Sequence, residues 1–444
     1  MGEKNKQAIS NESQFSSKWG FILACVGSAV GMANIWSFPY RMSQNGGGSF
    51  LIAYLLFIIL FSNVALSAEF AIGRRAKTGT LGSYTYAWNS IGKPKVGGTI
   101  GFIPLAGSMC IAIGYAVIIA IVLRSFVGSV TGELFKVHPE VFFEQGTKSF
   151  SLVPYHFIIV GVTLLTLILG AESIEKSNKV MMPVLVLIFI ILAVRVAFLP
   201  GASEGYKFMF TPNIEYLTKP MTWVNAMGQA FFSLSVTGSG MIVYGAYLPD
   251  NEDVIDGARQ TAIFDTLIAL LASIVVIPAS FAFGQEVGAG PGLMFVTLPT
   301  LLAQIPYGRL FSIILFFAVI FAGISSLQNM FEVVGESLLW RFKKLTRNTM
   351  LVLLFIICFG IGVFMESIDV WGPWMDIVSI YIIPFGAVLG GISWFWILKK
   401  EDLLDEINKG AKKKQGNTWH NIGKFVFVPI AAIVFIVGLF VGGF

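Results

Sequence analysis

Gly27-Ser28-Ala29-Val30-Gly31-Met32-Ala33-Asn34 sits in the middle of an otherwise apolar run over 19–43. Ser233-Leu234-Ser235-Val236-Thr237-Gly238-Ser239-Gly240 sits in the middle of another over 222–247. A helix inside a bilayer has no reason to stop halfway, because every N–H or C=O released there must find a partner within the protein. Both octets nevertheless carry the glycines and small polar residues with which a backbone unwinds, and Pro39 follows the first. A plainer reading fits each alone: small-xxx-small spacing, as from Gly27 to Gly31, lets two helices pack closely.

The rest of the chain decides between these readings. Of 444 residues, 55% are hydrophobic and 12% charged, with mean hydropathy +0.77; a soluble domain carries about twice that charged share. Soluble enzymes and nucleic-acid binders are excluded, and the net charge of +5 reads as membrane orientation beside anionic lipid. With roughly 20 apolar residues per crossing, the pattern predicts eleven spans. They lie near 19–43, 48–72, 96–127, 152–170, 177–199, 222–247, 258–285, 308–340, 348–366, 373–398 and 422–443. The interrupted spans are then the first and the sixth, corresponding members of two five-helix halves over 19–199 and 222–398, with 422–443 as an eleventh helix. That placement predicts an all-α integral membrane protein built as a five-plus-five inverted repeat with broken helices 1 and 6. Such an architecture belongs to secondary transporters whose site lies where the repeats meet. Half-helix N-termini there offer N–H groups to an anion, and unwound carbonyls attract a cation. A carboxylate substrate beside small cations is the expected chemistry.

Residues 1–18 are polar and read as a cytosolic tail, with 19–444 as one membrane domain. An inside N-terminus puts Arg74, Arg75, Lys77, Lys93 and Lys95 in the cytosol, together with Arg341, Lys343, Lys344 and Arg347, and Lys399, Lys400 and Lys412 to Lys414. These are the basic loops, as the positive-inside bias requires, and the C-terminus then lies outside. One loop dissents: Asp250, Glu252, Asp253 and Asp256 make the connection after span six acidic. The stretches 128–151 and 286–307 are long enough to fold over the outer face as caps. Cys25, Cys110 and Cys358 have unrelated spacings inside apolar runs and read as packing residues. His138, His156 and His420 show no ligand spacing, which speaks against an enzyme, and no repeated filter loop suggests a channel.

The run from Trp19 through Tyr40, followed by Asn45-Gly46-Gly47-Gly48-Ser49-Phe50, resembles the first helix and first outer loop of the neurotransmitter:sodium symporters. The resemblance continues through Glu69, Gly73-Arg74, Gly228-Gln229-Ala230-Phe231-Phe232-Ser233-Leu234-Ser235 and Phe321-Ala322-Gly323-Ile324-Ser325-Ser326. It covers ten or eleven helices and implies a bacterial eleven-helix member with the leucine-transporter fold, resident in the cell membrane. Sodium-coupled amino-acid symport follows from it, with a non-transporting amino-acid sensor and a proton-coupled transporter of the same fold as alternatives.

The resemblance also implies a site. One sodium ion would be held by the Ala29 carbonyl, Asn34, Ser233, Asp265 and the substrate's own carboxylate. A second would take the carbonyls of Gly27, Val30 and Ala322 and the hydroxyls of Ser325 and Ser326. Asp265 stands where many relatives carry Asn, and a fixed carboxylate there replaces the balancing chloride of chloride-dependent relatives, so no chloride is expected. An intramembrane carboxylate is by default functional. Tyr115 matches the hydroxyl that touches the substrate carboxylate, with Ile111 one turn below, and Phe232 the aromatic lid. Ala29, Gly31, Ser233, Ser235, Gly238, Ser326 and Met330 complete the expected substrate contacts. Gly31 lacks the carboxylate with which monoamine transporters hold an amine, which favours an amino acid. Gly238 in place of a bulky wall residue leaves room for a large apolar or aromatic one, such as tyrosine, tryptophan or leucine; alternatively, the glycines simply let helix six unwind. Arg41, Gln229 and Asp376 are the expected outer gate, with Ser37 where the family Arg usually stands. Tyr247 and Glu332 are the inner-gate residues, although Trp340 occupies the usual acidic position. Glu69 resembles a second-helix carboxylate that accepts N–H groups from the unwound segments. The resemblance leaves oligomeric state open.

Overall fold

The computed structural model describes residues 15–31, 33–284 and 292–441. Residues 1–14 of the tail, Met32, 285–291 at the end of the expected seventh span and the start of one expected cap, and the last three residues lie outside the described set. Among the described residues the chain is helical, its one β-bridge joining Gly47 to Pro212.

The first rod is α1 (Lys18–Ala29) and α2 (Ala33–Gln44), bent by 61°. Then come α3 (Gly48–Ala76), α4 (Thr80–Asn89) and α5 (Pro94–Thr131). Next are α6 (Pro139–Gly146), α7 (Val153–Leu165), α8 (Ala171–Ala197) and α9 (Ala202–Phe210). The sixth rod is α10 (Pro220–Ser233) and α11 (Ile242–Ala246), followed by α12 (Val254–Ala282), α13 (Leu293–Ala303), α14 (Gly308–Arg341) and α15 (Arg347–Met365). The chain ends with α16 (Ile368–Ile397), α17 (Lys400–Ile407) and α18 (Asn417–Phe440). Among the described residues, eight helices, or nine counting the bent first pair, are long and apolar enough to cross a membrane; α7 and the split pair α10/α11 are shorter.

Local sequence explains the helix ends. Ser17 caps α1 by accepting from the Gly20 N–H at 3.0 Å, Asp253 caps α12, and Pro94 and Pro220 occupy first turns, where a missing N–H costs nothing. Helix α8 starts six residues before the expected 177. The charges that argued for a loop there have partners: Glu175 accepts from the Ser16 N–H and hydroxyl, both at 2.6 Å, and pairs with Lys179.

Helix α1 packs among α8, α12 and α14, while α10 and α11 lean on α3, so both interruptions lie inside the bundle. Exposed Leu56, Ile59, Phe102, Leu165 and Val180 lie on the outside of the bundle. The 128–151 stretch folds into α6, whose Phe143 stacks on Phe295 of α13 at 5.4 Å; Phe295 in turn meets Trp36 of α2. The expected caps therefore join directly over the first rod. We call the end bearing Arg74, Arg347 and Lys399 the basic end.

Candidate functional site

The two interruptions dispose of their freed backbone groups in opposite ways. In the sixth rod the helix stops at Ser233, Ser235 takes φ 52° and Gly238 φ 74°. The Gly238 and Met241 N–H groups donate to Glu69 Oε1 at 2.7 Å and Oε2 at 3.1 Å. A buried carboxylate thus caps the restarting half-helix from within. In the first rod Val30 turns extended, and the carbonyls of Gly27 and Val30 both face the hydroxyl of Ser326, at 3.3 and 3.2 Å. One hydroxyl carries one proton, so these carbonyls are under-supplied with donors. The Ser325 hydroxyl lies 3.0 Å from the Ala322 carbonyl beside them. Five oxygens without formal charge, gathered in a buried place, have the donor chemistry of a hard monovalent cation, and the expected second sodium set is brought together.

Three members of the first set, Asn34, Ser233 and Asp265, are brought together too. Asn34 Nδ2 donates to Asp265 Oδ1 at 2.7 Å and Ser233 Oγ to Asp265 Oδ2 at 2.6 Å, all three fully buried. Asn34 Oδ1 accepts from the Gly31 N–H at 3.4 Å, which ties the cluster to the break itself. Tyr54, stacked with Phe50 and edge-on to Phe38, lies beside the same carboxylate.

Away from the basic end opens a cavity of about 540 Å³ lined by Tyr115, Phe232, Ile118, Val236 and Trp371, with Arg41, Gln229 and Asp376 at its polar rim. Of the expected substrate contacts, Tyr115 and Phe232 line it. Gly31 lies against the Tyr115 hydroxyl and Ser326 Oγ, so that a methyl group there would collide with both. Ile111 and Ala29 are buried, Met330 and Ser235 half-buried. Gly238 does not line the cavity: its open side faces the Gly386 backbone and Tyr84. Its glycine is required by the positive φ and that close approach, so the widened wall gives way to the alternative that glycine lets the helix unwind.

The outer gate differs from expectation as well. Arg41 Nε donates to Ser37 Oγ at 3.1 Å, which donates to Gln229 Oε1 at 2.8 Å. Among the described residues no ion pair joins Arg41 to Asp376, and Arg41 Nη1 has no partner. Standing one turn above the usual position, Arg41 is held by its own helix neighbour while the cavity is open.

At the basic end, Tyr247 donates to Glu332 Oε1 through a short hydrogen bond, and Arg347 bridges Glu332 at 2.7 Å and Glu336 at 3.0 Å. Arg347 Nε also reaches the Leu167 carbonyl at 2.8 Å. The acid missing at Trp340 is supplied one turn earlier by Glu336. Sequence reading missed Glu336 and Arg347; Arg347 looked like one more loop cation. Tyr54, beside Asp265, was missed as well. Phe15 is buried against Phe21, Tyr244 and Tyr247. The dissenting acidic loop is explained: Asp250 pairs with Lys77 at 3.0 Å and Asp256 with Lys18 at 2.6 Å, and Asp253 accepts from the Lys412 N–H at 2.9 Å.

The model of the sodium:neurotransmitter symporter family matches residues 12–138 and 132–442. The chain belongs to that family. This family member is 33% identical, over 96% of its length and 97% of the relative's, to the sodium-dependent transporter YhdH of Bacillus subtilis. It is 29% identical to the sodium-dependent neutral amino acid transporter B(0)AT3 of Mus musculus, over 59% of its length and 47% of that chain. The crystal structure of MhsT in complex with L-phenylalanine superposes with a TM-score of 0.85 at 31% identity, covering 96% of this chain and 99% of that one. As a family member, the chain is a multi-pass membrane protein of a sodium-dependent transporter family.

Proposed function

We propose that this protein carries an amino acid, of large apolar or aromatic type, together with sodium across a bacterial cell membrane by alternating access. The observation that carries the reading is the pair of donor-poor carbonyls of Gly27 and Val30 facing Ser326, beside an Asp265–Asn34–Ser233 cluster. Gly27, Val30, Ala322, Ser325 and Ser326 would hold one sodium ion; Ala29, Asn34, Ser233, Asp265 and the substrate carboxylate would hold the other. A carboxylate shared between substrate and ion couples the two fluxes. The substrate class is supported by the aromatic cavity lining, by the phenylalanine in the MhsT complex and by the neutral amino acid relatives. The eleven-span, five-plus-five inverted repeat and an inside N-terminus complete the reading, with the basic end cytosolic.

Asp265 supplies the negative charge that makes chloride dispensable. The test uses proteoliposomes loaded with potassium gluconate and given labelled leucine, phenylalanine, tyrosine and tryptophan under an inward sodium gradient. Uptake that collapses with choline for sodium and persists with gluconate for chloride supports the proposal. Equal uptake in choline overturns sodium coupling, and sodium-dependent binding without uptake favours the sensor.

A further inference from the structure

Beneath the second expected cation position lies a buried polar seam that neither site uses. Asn178 of α8 is fully buried, and its Nδ2 donates to the Ile174 carbonyl and to Gln328 Oε1, both at 3.0 Å. Both partners are acceptors only at those atoms, which fixes the amide's orientation and turns Oδ1 the other way. Among the described residues Oδ1 has no donor. It points at Gly27, close enough that a methyl group there would collide with it and touch Ser325 Cβ. An orphaned buried acceptor is costly, so its persistence beside Gly27 and Ser325 asks for an occupant. Gln328, one turn along α14 from Ser325, continues the line. Its Nε2 donates to Thr166 Oγ1 at 2.6 Å and Ser177 Oγ at 2.9 Å, and both hydroxyl residues are partly exposed at the basic end. Four polar side chains thus lead from Gly27 to the surface of the end that is otherwise closed.

We propose that Asn178 Oδ1 is a transient third cation position, the first oxygen met by a sodium ion leaving the Gly27–Ser326 site toward the basic end, with Gln328, Thr166 and Ser177 as the oxygens that follow. The inference rests on the transport reading above. An amide oxygen suits this task because it binds a monovalent cation without the full charge that would trap it. Gly27 suits it because any side chain would separate the two positions.

The experiment compares wild type, Asn178→Leu and Asn178→Asp, each as the full chain in proteoliposomes with labelled leucine, phenylalanine, tyrosine and tryptophan. Equilibrium binding of the same amino acids is measured against sodium concentration. Asn178→Leu should leave the sodium concentration for half-maximal binding within about twofold and slow uptake roughly tenfold, an exit barrier raised by one decade. Asn178→Asp keeps the oxygen that faces Gly27 while losing the two donations from Nδ2; it should lower the sodium concentration needed and also slow uptake, because the ion is held too well. Wild-type turnover in Asn178→Leu overturns the relay, as does equal loss of binding and uptake in both variants, which marks a packing residue. Wild-type vesicles that show no sodium-driven uptake overturn the transport reading, and the relay falls with it.

Discussion

The two ends of this molecule spend their polar groups differently. At the open end, Arg41, Gln229 and Asp376 stand around a cavity of about 540 Å³ and the one guanidinium among them bonds only to Ser37. At the basic end, buried Tyr247 and Glu332 form one network with partly exposed Arg347 and Glu336, Glu175 holds Ser16 and Ser17, and Arg74 is buried against Glu406 Oε1 at 2.6 Å. A charge that is paired and desolvated is costly to strip of its partner. Specific bonds tie the elements together at the basic end, whereas at the other end Arg41 and Asp376 line one cavity with no ion pair between them among the described residues.

The largest test of that contrast is removal of Arg347. Arg347→Ala leaves Glu332 buried with no cation beside it and only Tyr247 bonded to it, a loss of about 3–5 kcal/mol when one partner of a buried pair is deleted. Thermal unfolding in detergent should fall markedly, and a cysteine reporter placed at Thr166 should label faster as the basic end opens. Unchanged labelling would show that the network does not hold that end shut. Next in size, Gly238→Ala meets both a positive φ and the Gly386 backbone. A loss of roughly 1–3 kcal/mol for strain of this kind predicts about tenfold or greater loss of sodium-dependent binding with expression retained.

Asp376→Asn should change equilibrium binding by less than about threefold, since no charged partner is lost in the open form, yet slow uptake more than binding. Equal effects on both would mean that the pair is already made when substrate binds. The smallest effect belongs to Lys18→Ala. Its partly exposed pair with Asp256 contributes about 0–1 kcal/mol, so stability should fall slightly at low salt and not at all at high salt.

How much of this was legible beforehand varies with the residue. The breaks were readable because glycine and small polar residues in mid-span have few other uses, and the first-helix run and the Phe321–Ser326 run pointed to Gly27, Asn34, Ser325 and Ser326, whose side chains and carbonyls meet at the first break. Gly238 was misjudged because sequence shows a missing side chain without showing which neighbour fills the space. Arg41 and Asp376 line one cavity, but whether two groups around a cavity touch depends on how the helices around them are packed. Asn178 and Gln328 were not singled out, because nothing local connects residues 150 positions apart.

Composition and hydropathy alone determined that the chain lives in a bilayer, since an apolar surface of this extent has no other stable solvent. The two octets determined where its rods stop, because a backbone unwinds where side chains offer least to hold a helix together. Which groups then take up the freed N–H and C=O was decided only in three dimensions. Glu69 reaches Gly238 across 169 positions and Ser326 reaches Gly27 across 299, and hydrogen bonds act over distances in space with no regard for distance along the chain.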